Sequence, residues 1–246
     1  MKRMDWQIVI VVMLVLLSGV LYWLQYLLYS DARLFLENFL GYVAFLPLQV
    51  VLVSLVLERM LSYRDKRATR KKLNMVVGAF FSEVGDRLLR QLAAFDVDES
   101  RERERLLVRS NWPRRQFLKT IHDFRTFPWK LDSRKADLAT LKSFLIGHRV
   151  FMLGLLENPS LLEHETFTEL LWAVFHLTEE LEARGDFGDL PETDHVHLSN
   201  DLIRAYRFVV AEWLAYLLHL SQEYPYLFSL ALRTSPFDPA ATAIVR

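Results

Sequence analysis

The sequence predicts an all-α protein, with an N-terminal two-helix transmembrane hairpin followed by a cytoplasmic helical bundle. Three observations carry this expectation. Two uncharged apolar runs stand almost back to back near the N-terminus, Trp6–Ser30 and Asn38–Leu57. Beyond Arg59 apolar residues recur at spacings of three and four, and nothing reads as a run of strands. Capping residues and prolines then divide the remainder into helix-sized segments.

The first run is 25 residues long. As a helix it spans about 37 Å, against about 30 Å for the hydrocarbon core of a bilayer. The second run gives about 30 Å by the same arithmetic. Between them Asp31-Ala32-Arg33 has room only for a tight turn, so the two helices, near 6–30 and 34–57, are expected to be antiparallel within a hairpin over 1–57. A cleaved signal peptide fits less well. Its apolar core would be about 7–15 residues long, and no second apolar run would follow at once. The cationic residues set the orientation. Arg59, Arg64, Lys66, Arg67, Arg70, Lys71 and Lys72 follow the second run with only Asp65 to offset them, and Lys2 and Arg3 precede the first. The positive-inside rule places both termini in the cytoplasm and the turn outside, in a multi-pass protein of the cell membrane. The same cluster is suited to anionic headgroups, at about 1 kcal/mol per residue near the surface.

Each membrane helix carries a polar stripe. Ser18, Tyr22, Gln25 and Tyr29 are spaced four, three and four apart, and Asn38, Tyr42 and Gln49 follow the same period with Phe45 between them. Polar groups in hydrocarbon seek protein or water, so both stripes are expected at helix contacts or along a pore. Glu37, at the outer end of the second helix, suits either an interfacial anchor or a carboxylate ring at a pore mouth. Pro47 lies within the second run and removes one helical hydrogen bond.

The second helix meets no breaker until Gly78, so it is expected to continue through a basic juxtamembrane segment, 58–95, on a stripe of Leu73, Val77, Phe80, Val84, Leu88 and Leu92. The helical domain then covers 96–246. Asp96 or Asp98 opens a short charged helix, and Asn111 with Pro113 opens another that ends near Phe124. Asp132 or Ser133 begins a helix to Glu157 with a seam of Leu138, Leu141, Leu145, His148, Met152 and Leu155. Thr166 with Glu169 has the spacing of a capping box for a helix ending at Gly185. A long helix runs from Pro191 to Glu223, Tyr224-Pro225 breaks it, and a short helix follows to Arg233.

Composition excludes several functions. The chain has 30 basic and 30 acidic residues, which argues against a nucleic-acid binder. It has no cysteine, so disulfides, thiolate metal sites and a cysteine nucleophile are absent. Serine nucleophile elbows, P-loops and Rossmann glycine patterns are missing, and no cofactor is expected. His122-Asp123 has the central pair of an HD phosphohydrolase, but no histidine precedes it to complete that set. Between Glu157 and Asp194 there are eleven acidic residues and one basic residue, Arg184, a surface suited to a basic protein partner. His164, His176, His195 and His197 lie in or beside this region. His195 and His197 are two apart and would point to different helix faces. Glu169, His176 and Glu180 share a face opposite Phe167, Leu170, Leu171 and Val174, which reads as solvent. No catalytic or metal-ligating residue is assigned on these grounds. The function expected is that of a non-enzymatic membrane-anchored protein acting by self-assembly and partner binding. A homo-oligomeric ion channel or pore lined by the second helix is the alternative, and a metal-dependent membrane-bound hydrolase a weaker one.

Overall fold

The computed structural model describes residues 2–29, 32–158, 161 and 164–244. Among these the regular structure is helical: nine α-helices, one π-helical turn and a single isolated β-bridge. The chain divides into two compact units, Met1–Lys66 and Arg67–Arg246.

The first unit holds α1, Lys2–Tyr29, and the N-terminal part of α2, Ala32–Phe80, which runs unbroken with Pro47 inside it. Ser30 and Asp31 of the expected turn lie outside the described residues. Apolar side chains on both helices are bare of protein cover; Trp23 is 65% exposed and Leu52 61%. Among the described residues two helical stretches are long and apolar enough to cross a membrane by length and composition, Gly41–Met60 within α2 and Leu138–Leu156. They differ in burial. None of the first is buried, whereas the second inserts Leu138, Leu141, Phe144, Leu145, Met152 and Leu155 into the core, as an amphipathic helix of a globular domain does. Val15–Leu27 in α1 is a shorter apolar stretch.

The second unit begins on the last turns of α2. Val77, Phe80, Val84, Leu88 and Leu92 are all buried, although the helix changes character midway. A π-helical turn, Phe81–Gly85, separates α2 from α3, Asp86–Ala93. The extra residue in this turn brings Phe81 inward beside Phe80. Gly85 is required there, because a Cβ would collide with the Phe81 ring and lie 2.9 Å from that of Phe80.

The helices that follow are α4, Glu99–Leu106; α5, Arg114–Arg125; α6, Leu138–Leu156; α7, Glu165–Glu182; α8, Glu192–Glu223; and α9, Pro225–Arg233. The long α8 is the hub, packing against α3, α5, α7 and α9, while α6 packs on α7. Between α5 and α6 the backbone is held by Val97 N donating to Lys130 O at 2.9 Å and Asp132 N to Phe95 O at 2.9 Å. Aromatic rings seal this stretch: Trp129 stacks on Phe124 at 5.3 Å and meets Tyr206 of α8 edge-on at 4.7 Å.

Three helix starts differ from the sequence expectation. Neither Asp132 nor Ser133 opens α6. The cap is Asp137, which accepts from Ala139 N at 2.9 Å. Asp132 is engaged by Arg134, and Ser133 is buried against His195 and Ser199. The expected capping box at Thr166 and Glu169 gives way to His164, whose Nδ1 accepts from Phe167 N at 3.1 Å, so α7 starts one residue before Thr166. Pro113, not Asn111, stands at the N-cap position of α5, where no side chain makes a capping hydrogen bond.

Candidate functional site

The most chemically distinctive constellation is built by α7 and α8, consecutive helices joined through the loop around Gly185–Leu190. Each helix contributes two residues four apart, hence on one face. From α7 come His176 and Glu180, and from α8 come His197 and Asp201. One ligand-capable atom from each lies within 4.8 Å of all the others. The individual separations are short. His197 Nε2 is 3.3 Å from Glu180 Oε2 and 3.3 Å from Asp201 Oδ2. His176 Nε2 is 3.4 Å from Asp201 Oδ1 and 3.9 Å from Glu180 Oε1.

Burial grades across the cluster. Asp201 is only 2% exposed, while the His176 and His197 side chains are 42% and 49% exposed. The floor is therefore a buried carboxylate and the rim is two imidazoles open to solvent. Arg204 donates to Asp201 Oδ1 at 3.1 Å, and Asp201 Oδ2 accepts no hydrogen bond. Arg184 organises the other side. It donates to both Asp194 oxygens, at 2.7 and 2.6 Å, and to Glu180 Oε2 at 2.8 Å, and its Nη1 also bonds the Glu180 carbonyl. These hydrogen bonds, together with the guanidinium charge, outweigh partial burial and hold the Glu180 and Asp194 carboxyls below the usual range. Arg184 is raised in turn, chiefly by Asp194. Both carboxylates are thus fixed as anions.

By sequence alone the His176–Glu180 face reads as solvent and nothing marks Asp201; the packing of α7 on α8 brings them together. The two-residue spacing separates His195 from His197, and the structure does the same. His195 turns to the α5–α6 connection, where its Nδ1 is 2.9 Å from Ser133 Oγ. His164 is a helix cap, and His148 is half-buried with Nδ1 2.8 Å from Phe144 O. Glu169 is exposed.

Of the polar residues expected in the membrane helices, Ser18, Tyr22, Tyr42 and Gln49 are exposed on the single chain and Gln25 is partly covered. The side chains of Tyr29, Glu37 and Asn38 lie outside the described ones, as do those of Arg64, Lys66, Arg67, Arg70, Lys71 and Lys72; Arg59 is exposed. The acidic stretch 157–194 is partly neutralised within the fold. Arg149 of α6 pairs with Glu179 and Glu182, Arg184 with Glu180 and Asp194, and Arg134 with Glu192. A cleft of 720 Å³ opens beside α5, with Arg109, Trp112, Gln116 and Lys119 among its walls, but its charges are of mixed sign.

The fold and these placements define a class: an all-α protein with a separate N-terminal helical unit and a C-terminal helical domain. The chain belongs to the family of the uncharacterized protein MJ1433. The N-terminal helical domain of that family matches residues 2–61 and its C-terminal helical domain matches residues 69–233. The chain is similar to uncharacterized protein MJ1433 of Methanocaldococcus jannaschii, with 43% identity over 238 residues, covering 97% of this chain and 96% of that protein. No solved structure matches it.

Proposed function

We propose that the protein is a membrane-anchored helical protein that works by self-assembly and by presenting its C-terminal domain to a partner on the cytoplasmic side. The observation that carries this reading is the bareness of α2 from Gly41 to Met60. None of that apolar window is covered by the chain itself, a state costly in water and natural in hydrocarbon. The same helix reaches the core of the second unit through Val77 and Phe80, so the anchor and the domain share one element.

Self-assembly follows from the polar residues on the anchor. Ser18 and Gln49 are exposed among exposed apolar neighbours. In a bilayer such groups gain about 0.6–2 kcal/mol by bonding across helices, and a second copy held in the same plane supplies the partner. The C-terminal domain adds an apolar stripe on α6, where Ile146, Val150 and Leu153 are exposed at spacings of four and three. Gly147 and Gly154 beside it have nothing within 4 Å of where a Cβ would stand, which leaves room for close approach of another helix. Exposed Glu165, Glu169, Asp186 and Asp189 retain a surface for a basic partner.

The test is the particle mass in nanodiscs. Wild type is expected as a homo-oligomer, and Ser18→Ala with Gln49→Leu should shift it toward the monomer. A monomeric wild type at all accessible concentrations contradicts self-assembly.

A further inference from the structure

We propose that His176, Glu180, His197 and Asp201 form a binding site for one divalent transition-metal ion of the zinc class, fastening α7 to α8. Four features converge on this assignment. The first is the donor set, two imidazoles and two carboxylates. Imidazole nitrogen suits zinc and its first-row neighbours, whereas calcium and magnesium take oxygen donors.

The second is spacing. An ion bound to nitrogen and oxygen at about 2.0–2.1 Å in tetrahedral geometry separates its ligand atoms by about 3.3 Å. The contacts His197–Glu180 and His197–Asp201 are 3.3 Å, and His176–Asp201 is 3.4 Å. His176–Glu180, at 3.9 Å, needs only a small side-chain adjustment. The two imidazoles meet different oxygens of each carboxylate, and with one ligand-capable atom per residue the set lies within 4.8 Å, a span that side-chain rotation closes to a ligand shell.

The third feature is Asp201. It is almost fully buried, and its Oδ2 faces the cluster and accepts no hydrogen bond, although His197 Nε2 lies 3.3 Å away. A buried anionic oxygen without a donor is costly, and a cation at the centre of the cluster removes that cost. The fourth is the surrounding support. Arg184 holds Glu180, Asp194 anchors Arg184, and Arg204 holds Asp201. Groups that orient ligands without touching the ion in this way are a regular part of metal sites. Three carboxylates meet two guanidiniums here, so a local negative charge remains for a cation to balance.

With four protein ligands the shell is closed to substrate in tetrahedral geometry, so the ion acts as a clasp between the helices. Its solvent-facing imidazoles make it exchangeable.

The experiment uses the full-length protein in detergent, stripped with a chelator and titrated with zinc chloride by calorimetry. Wild type should bind one Zn²⁺ per chain, with a rise in melting temperature, and neither Mg²⁺ nor Ca²⁺ should displace it. Because His176 and His197 are half-exposed, their replacement should leave the metal-free fold intact. His176→Ala with His197→Ala should weaken binding by at least about 100-fold, more than the loss of an outer-shell partner. Asp201→Asn should weaken it as well, while Glu169→Gln, at an exposed position on α7, should not. Co²⁺ in place of Zn²⁺ should give the intense visible absorption of a four-coordinate ion. Absence of saturable Zn²⁺ binding, binding undiminished in the double variant, or the faint spectrum of six-coordinate Co²⁺ would each overturn the proposal.

Discussion

Phe80 is fully buried and meets Phe81 and Phe167 edge-to-face, with centroids 5.2 and 5.4 Å apart. Removing its ring leaves a cavity that close-packed neighbours fill only in part, so Phe80→Ala should cost about 3–5 kcal/mol in denaturant unfolding. A loss well under 1 kcal/mol would show that the residue is not in the core. Asp86, the first residue after the π-helical turn, bears on pH. Burial pushes its carboxyl up to about 6, against the opposing pull of Arg90 and a hydrogen bond from the Trp213 side chain. The folded protein therefore holds this proton more tightly than the unfolded chain. The stabilisation is fully present below its ordinary 3.8 and is lost as pH rises through about 6. Asp132, Glu180 and Asp194, all held low, contribute in the opposite sense, so the readout is the difference between wild type and Asp86→Asn. Wild type should lose stability relative to the variant between pH 4 and 6, by at most about 3 kcal/mol at ~1.4 kcal/mol per unit. Parallel pH profiles would contradict the assignment.

At the scale of elements, the junction of α7 and α8 depends on Arg184. Its fork grips Asp194 and Glu180 across the turn between the helices, and Arg184→Met leaves both carboxylates without that donor. The expected loss is about 1–2 kcal/mol, at the lower end for charge-assisted hydrogen bonds because Asp194 remains partly open to water. Unchanged unfolding would show the fork to be ornamental. Elements were legible in the sequence where a local signal sufficed. The Tyr224-Pro225 break and the Val77 to Leu92 stripe depend on a backbone rule and on periodicity, and both appear in the fold. The start of α6 was not legible, because Ser133 is drawn to His195 and Ser199, residues more than sixty positions away. The start of α7 was missed because an imidazole took the role usually filled by a hydroxyl or carboxylate. The metal cluster lay in between. His176 with Glu180 and His197 with Asp201 repeat the same four-residue step, a visible signal, but only the packing of α7 on α8 turns two pairs into one site.

At the scale of the molecule, a bare apolar window of α2 and a well-buried C-terminal core belong to one chain. The absence of cysteine makes the membrane reading directly measurable, since any introduced thiol is the only one present. Ala32→Cys places it at the expected outer turn, and Ala241→Cys places it at an exposed position near the C-terminus. The decisive measurement is labelling of each variant in intact cells with a membrane-impermeant maleimide, repeated after the cells are opened. A protein anchored by a hairpin with both termini inside is labelled at Ala32→Cys in intact cells and at Ala241→Cys only after opening. Labelling of Ala241→Cys in intact cells, or recovery of the chain in the soluble fraction, would contradict the account.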